Sequence, residues 1–307
     1  MKYNINKEFF PLYYFSAPAV HPKIAGFFGS MLKPPRRIFK DREIDVYTEI
    51  IDGYDGGKIK IYVMSPKEKT ANMPCMVYYH GGGFVYGASS NHYYLCKEYS
   101  LKSNCKIVFV DYRLAPKYQF PIPAEDCFMA YRWTIDNSEK LGIDKTRIAI
   151  GGDSAGGCLT AAVALMARDR GLMAPLFQML IYPVTDRRMI TKSMKNFVDT
   201  PMWNGRLSVK MWEGYLGSGE HEHIEYASPV EAPSLENLPD TYMETAEFDC
   251  LRDEGIMYGE MLRDAGNTVT FYQTKGTMHA FDGKRSAPTT EKAIEKRLKF
   301  INSNFYS

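Results

Sequence analysis

The stretch Arg147-Ile-Ala-Ile-Gly-Gly-Asp-Ser-Ala-Gly-Gly-Cys-Leu-Thr-Ala-Ala-Val-Ala-Leu-Met166 decides how the rest of the chain is read. Residues 147–151 are a short β-rich run. Leu159, Ala162, Val163 and Met166 then recur at i, i+3, i+4 and i+7, the spacing of one helix face. Between the two stands Gly152-Asp153-Ser154-Ala155-Gly156, which fits G-x-S-x-G. In a chain with 24 Gly the pentapeptide alone is a weak signal, and its place at a strand-to-helix turn is what makes it informative. A serine on such a sharp bend needs small neighbours. Gly152 and Gly156 let the chain pack closely around it, and Gly157 relieves crowding further. The start of the following helix favours negative charge developing beside the serine. Ser154 is the candidate nucleophile.

Working outward, the same alternation continues. Residues 44–51 and 58–64 read as a β-pair joined by the turn-forming Asp55-Gly56-Gly57. Further β-rich runs occupy 75–79, 107–111, 178–182, 242–246 and 269–273, and their near-continuous apolar character suits a sheet covered on both faces. Helical periodicity appears in Ala124, Cys127, Phe128, Tyr131 and Ile135, in Tyr258, Met261, Leu262 and Ala265, and in Ile294, Leu298 and Ile301. Strand and helix taking turns predict a single α/β domain with a mostly parallel central sheet and helices on both faces. Residues 1–40 and roughly 187–225 break the alternation, are rich in aromatics, and are expected to form a lid.

A second signal is His80-Gly81-Gly82-Gly83, directly after the run ending in Tyr79. Three glycines leave backbone N–H groups uncovered by Cβ, free to converge on one spot as an oxyanion requires. The N–H groups of Gly82, Gly83 and Ala155 would make that hole. A phosphate-cradling loop is the other reading of such glycines, but no G-K-[ST] follows. The six histidines are 21, 80, 92, 221, 223 and 279. In this elbow arrangement the chain order is Ser, acid, His, which removes the first three. His221 and His223 lie in Glu220-His-Glu-His-Ile-Glu225, a polar stretch with no strand or helix frame, and no metal site is expected there. His279 follows the run 269–273, so the topology puts it on the same sheet edge as Ser154. Asp249, after the run 242–246, is the expected acid; Glu247 and Asp253 are its rivals, Asp253 turning into the next helix.

The chain has 307 residues, 45% hydrophobic and 24% charged, and a net charge of +2. That balance argues against a nucleic-acid-binding role, which usually shows a strongly basic stripe. No apolar run approaches the ~20 residues needed to span a bilayer. The segment 9–20 resembles a signal sequence only faintly, because Pro11 and Pro18 interrupt it and Tyr13 and Tyr14 make it amphipathic. Six cysteines without a C-x-x-C pair suggest reduced, buried thiols and a cytoplasmic setting. Oligomeric state is not legible in the sequence.

Together the motifs resemble the hormone-sensitive-lipase-like family of α/β-hydrolases, the bacterial family IV carboxylesterases with an HGGG loop. The likeness includes Asp111-Tyr-Arg-Leu-Ala-Pro116, Phe120-Pro121, Glu125-Asp126, Ser228-Pro229 and Asp249-Cys-Leu-Arg-Asp-Glu-Gly255, and covers about residues 40–303. It implies the α/β-hydrolase fold with a helical cap built from about 1–40 and 187–225. It also implies a Ser154, Asp249, His279 triad, an oxyanion hole at Gly82, Gly83 and Ala155, and hydrolysis of a small-molecule ester with no metal or cofactor. The family favours short acyl chains. Trp203 and Trp212 are candidates for the pocket roof, or for packing the cap onto the sheet. An aryl amidase or formamidase on the same triad is an alternative. A homologue that binds a small molecule without turnover is another, and it would lack His279. Two departures stand out: Cys250 replaces the proline usual after the acid, and Ala280 the glycine usual after the histidine.

Overall fold

The computed structural model describes residues 2–14, 34–68 and 70–307. Eight strands form one sheet: β1 (Ile44–Asp52), β2 (Lys58–Pro66), β3 (Met73–Tyr79), β4 (Lys106–Asp111), β5 (Ile143–Asp153), β6 (Phe177–Ile181), β7 (Asp240–Phe248) and β8 (Val269–Met278). Their order across the sheet is β1-β2-β4-β3-β5-β6-β7-β8. β2 pairs antiparallel with β1 and with β4, and the remaining neighbours are parallel. Each predicted β-run overlaps one strand. The run ending at Tyr182 closes one residue early, because Tyr182 leaves the ladder at φ 35°.

The longer helices are α1 (Ser90–Lys102), α2 (Ile122–Asp136), α3 (Ala155–Asp169), α4 (Gly205–Leu216), α5 (Arg252–Asp264) and α6 (Pro288–Phe305). The strand period of two sorts the core into two layers. On β3, Cys75, Val77 and Tyr79 join α2, α3 and α5, whereas Met76 and Tyr78 join α1 and α6. The four helices expected from periodicity are present. Of the other two, α4 falls in the segment expected to form the helical cap, and α1 was not expected. α1 buries Tyr93, Cys96, Tyr99 and Ser100 on a face of tyrosine and small polar residues that carries little apolar signal.

This order also positions a site. From β3 the chain steps to β4 on one side and then to β5 on the other. β3 and β5 are therefore parallel neighbours, with Tyr79 opposite Gly152. Their carboxyl ends bound the crevice where winding reverses direction, the usual ligand position in an open α/β sheet. The HGGG loop leaves one strand there and Ser154 the other.

The lid expectation falls partly on residues outside the described set, namely Met1 and 15–33. The described N-terminal part lies over the loop after β8: Asn6 N–H donates to the Gly276 carbonyl at 2.8 Å, and Phe9 packs edge-on against Phe281. Within 187–225 are the short helix Lys192–Asn196, α4 and the turn Ile224–Tyr226. The first of these binds the loop after β7 and the start of α5: Ser193 donates its N–H to Asp253 and its hydroxyl to the Cys250 carbonyl.

Candidate active site

Ser154 sits between β5 and α3 at φ 56°, ψ −120°, a conformation that costs a non-glycine residue about 1–3 kcal/mol. The surroundings over-determine it. Its N–H donates to the Ile181 carbonyl at 2.8 Å, and its own carbonyl accepts from Cys158 and Val184 at 3.2 and 3.1 Å. The motif glycines are steric necessities here. A Cβ on Gly156 would overlap the Tyr79 carbonyl, and one on Gly152 would overlap the Gly156 carbonyl.

His279 directly follows β8 and Asp249 directly follows β7, so two parallel strands present both at one sheet edge. His279 Nε2 is 2.9 Å from Ser154 Oγ, and its Nδ1 is 2.7 Å from Asp249 Oδ2. Asp249 is fully buried, and its other oxygen accepts the Leu251 N–H at 2.9 Å. A carboxylate can only accept, so Nδ1 carries the ring proton and Nε2 is left bare toward the serine hydroxyl. The rival acids are engaged elsewhere: Glu247 accepts the Gly276 N–H, and Asp253 binds Ser193 and Arg252. This relay can withdraw a proton from Ser154 and return it to a leaving group.

In the HGGG loop, Gly82 and Gly83 adopt φ 123° and 58°, which side-chain-bearing residues rarely take. Among the described residues neither N–H meets an acceptor, and the Ala155 N–H, first in α3, has no intrahelical one. His80 braces the loop from beneath. Its ring stacks on Tyr112 at 4.4 Å, Nδ1 donates to the Gly81 carbonyl at 2.7 Å, and the Tyr112 hydroxyl donates to the His80 carbonyl. Burial pulls the His80 imidazole down to about 4, so the brace is neutral.

A family model described as alpha/beta hydrolase fold matches residues 76–283. Esterase LipI of Mycobacterium tuberculosis is 35% identical over 243 residues, 78% of this chain and 76% of its own length. The chain is a hormone-sensitive-lipase-like α/β-hydrolase. An arylesterase of Saccharolobus solfataricus is 34% identical over 244 residues, covering 77% of this chain and 76% of that one. The solved structure of a bacterial heroin esterase superposes with a TM-score of 0.88 at 33% identity, over 99% of both chains.

In this α/β-hydrolase, Ser154 and His279 open onto a cavity of about 350 Å³. Gly82 and Gly83 border it, with apolar walls from Leu95, Tyr182, Met202 and Trp203. The two tryptophan candidates separate. Trp203 lines the cavity, 6.2 Å from the His279 ring, with its Nε1–H donated to Ser208 Oγ. Trp212 does not line it: its helix face turns inward, and the ring packs against Phe84 and Tyr215. His221 and His223 lie apart from the site, bonded to the Leu216 carbonyl and to Glu225. Among the described residues no His, Cys, Asp and Glu group is arranged to hold a metal ion, and all six cysteines are buried and unpaired.

Three further groups on this hydrolase's cavity wall carry no signal in the sequence: Asp153 is the variable position of the motif, chain order sets His92 aside, and Tyr182 falls in a β-rich run. Tyr182 places its ring 4.8 Å from that of His279 and donates its hydroxyl to Asp282 at 2.7 Å.

Proposed function

We propose that this α/β-hydrolase is a serine carboxylesterase that cleaves short-chain acyl esters of small molecules through an acyl-enzyme. The observation that carries the reading is the buried relay of Asp249, His279 and Ser154 on a strained elbow beside unclaimed backbone N–H groups. His279 takes the hydroxyl proton as Ser154 Oγ bonds to the ester carbonyl carbon. The N–H groups of Gly82, Gly83 and Ala155 hold the oxyanion, which is worth more in a dry site than in water. The C–O bond then breaks, and His279 gives its proton to the departing alcohol. Water attacks the acyl group with the same base, releasing the carboxylic acid and restoring Ser154. No step needs a metal or an organic cofactor.

The cavity volume, about 350 Å³, lies at the low end of small-molecule pockets, and its mostly apolar lining suits acetyl to about hexanoyl groups. The esterase and arylesterase names of the relatives favour the same class. Trp203 is assigned to substrate contact, and the described parts of the segments near 1–40 and 187–225 to a cap. Among the described residues no helix is long and apolar enough to cross a membrane, and the unpaired thiols suit a reducing cytoplasm.

Turnover of p-nitrophenyl acetate tests the assignment. Ser154→Ala abolishes it, and Asp249→Asn lowers kcat by about 10⁴ because the imidazole loses its tautomer. Asp253→Asn has a mild effect. Wild-type turnover in Ser154→Ala ends the esterase reading, and a larger loss in Asp253→Asn than in Asp249→Asn moves the acid. A parallel p-nitroanilide assay separates an ester preference from the amidase alternative.

A further inference from the structure

A second imidazole–carboxylate pair lies on the cavity wall, and the reaction above makes no use of it. Asp153, last in β5, directly precedes Ser154; His92 is in the first turn of α1. His92 Nδ1 faces the Ser89 main-chain N–H at 2.9 Å, and its Nε2 lies 3.1 Å from Asp153 Oδ2. A main-chain N–H can only donate, so Nδ1 is the bare nitrogen and Nε2 carries the hydrogen that goes to Asp153. The other carboxylate oxygen accepts the Tyr78 hydroxyl at 2.9 Å and the Gly81 N–H at 3.1 Å. Gly81 is the second residue of the HGGG loop, and a Cβ on it would overlap the Asp153 carboxylate. One side chain thus ties α1, the glycine loop and the serine elbow together.

The consequence for the loop follows from peptide planarity. Asp153 holds the Gly81 N–H and His80 Nδ1 holds the Gly81 carbonyl, so both peptide planes flanking Gly81 are fixed. The second plane carries the Gly82 N–H, which points opposite to the Gly81 carbonyl in a trans peptide. Charge alone gives no reason for this arrangement. Burial would raise the Asp153 carboxyl, yet His92, Tyr78 and His80 outweigh it and hold it at about 2, so it is an anion beside a site where negative charge develops. An anion there opposes the oxyanion unless its hydrogen bonds contribute more than its field costs.

On the serine-esterase reading, we infer that Asp153 and His92 are a positioning pair that aims the Gly82 N–H of the oxyanion hole through their hold on Gly81. The polarity of the chain makes the pair testable by small changes. In Asp153→Asn the amide N–H₂ meets either the Nε2–H of His92 or the Gly81 N–H, donor against donor in both orientations, and a tautomer exchange at His92 would turn an Nδ1–H onto the Ser89 N–H. His92→Phe leaves Asp153 without its imidazole donor, and His92→Gln restores an N–H donor on a side chain of similar reach.

The experiment measures kcat and KM for p-nitrophenyl acetate, the inhibition constant of an aryl boronic acid, and the unfolding midpoint of each variant. A misaimed donor is a fraction of the 10²–10³ lost on deleting one. Asp153→Asn and His92→Phe therefore lose about 10- to 100-fold in kcat with KM within about threefold. Boronate affinity, which reports the oxyanion site, falls by a matching factor, and His92→Gln recovers most of both. Folded variants with unchanged kcat and boronate affinity, whatever their unfolding midpoint, overturn the inference. So does a faster Asp153→Asn, the result expected if the field of the anion dominates, or a loss confined to KM. If Asp153→Asn does not fold, the two His92 variants decide alone. Failure of the esterase reading is seen separately, as activity persisting in Ser154→Ala.

Discussion

Ala280 adopts φ 54°, ψ 30° one residue past the His279 imidazole, on the turn that carries the chain away from β8. That conformation is left-handed and costs a residue with a Cβ about 1–2 kcal/mol. The glycine usual there in this family removes the strain, at the expense of about 0.4–1 kcal/mol of unfolded-state entropy. Ala280→Gly is accordingly expected to stabilise the protein by up to about 1 kcal/mol in urea unfolding, with esterase activity retained; destabilisation would mean the Ala280 methyl packs productively against the cavity. The other departure, Cys250, is fully buried with Sγ 3.6 Å from Ser208 Oγ, so the thiol fills space between the acid loop and α4. At this scale the sequence is most legible where a residue type is expected at a fixed chain order: it points to Ser154, Asp249 and His279, which the structure brings within hydrogen-bond distance of one another. Asp153 and His92 were not legible, because their meaning lies in a hydrogen bond across 61 positions and their spacing carries no pattern.

The elements around the cavity are joined by side chains rather than by sheet hydrogen bonds. Asn204 caps α4 by accepting the Leu207 N–H, and Ser208 in the first turn of α4 takes the Trp203 indole N–H at 3.0 Å. The indole is thereby held against Gly83, leaving no room for a Cβ there. Trp203→Ala should lengthen the apolar pocket. At about 0.8 kcal/mol per buried methylene, two further methylenes raise kcat/KM for p-nitrophenyl octanoate relative to acetate by roughly tenfold. An unchanged ratio would mean that the acyl chain lies against another wall. α3 and the strands were readable because they are wholly apolar or carry a clean period. α1 was not, since its inward face sets Tyr, Cys and Ser beside Leu and tertiary packing supplies what pattern lacks; α4 does carry a period, in Leu207, Met211, Trp212 and Tyr215, inside the segment expected to form the helical cap.

Across the whole molecule, the α/β class was legible from alternation alone, but the strand order was not. Nothing in a sequence period says that β4 lies on one side of β3 and β5 on the other, and that crossing is what sets the glycine loop beside Ser154. A further tie spans the fold. Arg297 of α6 is fully buried, paired to Glu244 of β7 at 2.5 Å and to Asp282 at 2.7 Å, and Asp282 holds Tyr182 beside His279. Removing one member of a buried ion cluster costs about 3–5 kcal/mol, because the partner charges stay buried and uncompensated. Arg297→Ala is expected to lose about that much in equilibrium unfolding, and Arg297→Lys to lose less; an Arg297→Ala loss below 1 kcal/mol would show that water reaches the cluster.

On the proposed mechanism Ser154 becomes covalently acylated. Intact-protein and peptide mass spectrometry of the enzyme quenched in acid during turnover of p-nitrophenyl butyrate tests it most directly. One butyryl group is expected on the peptide containing Ser154, accumulating on mixing and absent from Ser154→Ala. Steady hydrolysis by the same Ser154→Ala protein, or an acyl group found on any other residue, would contradict it.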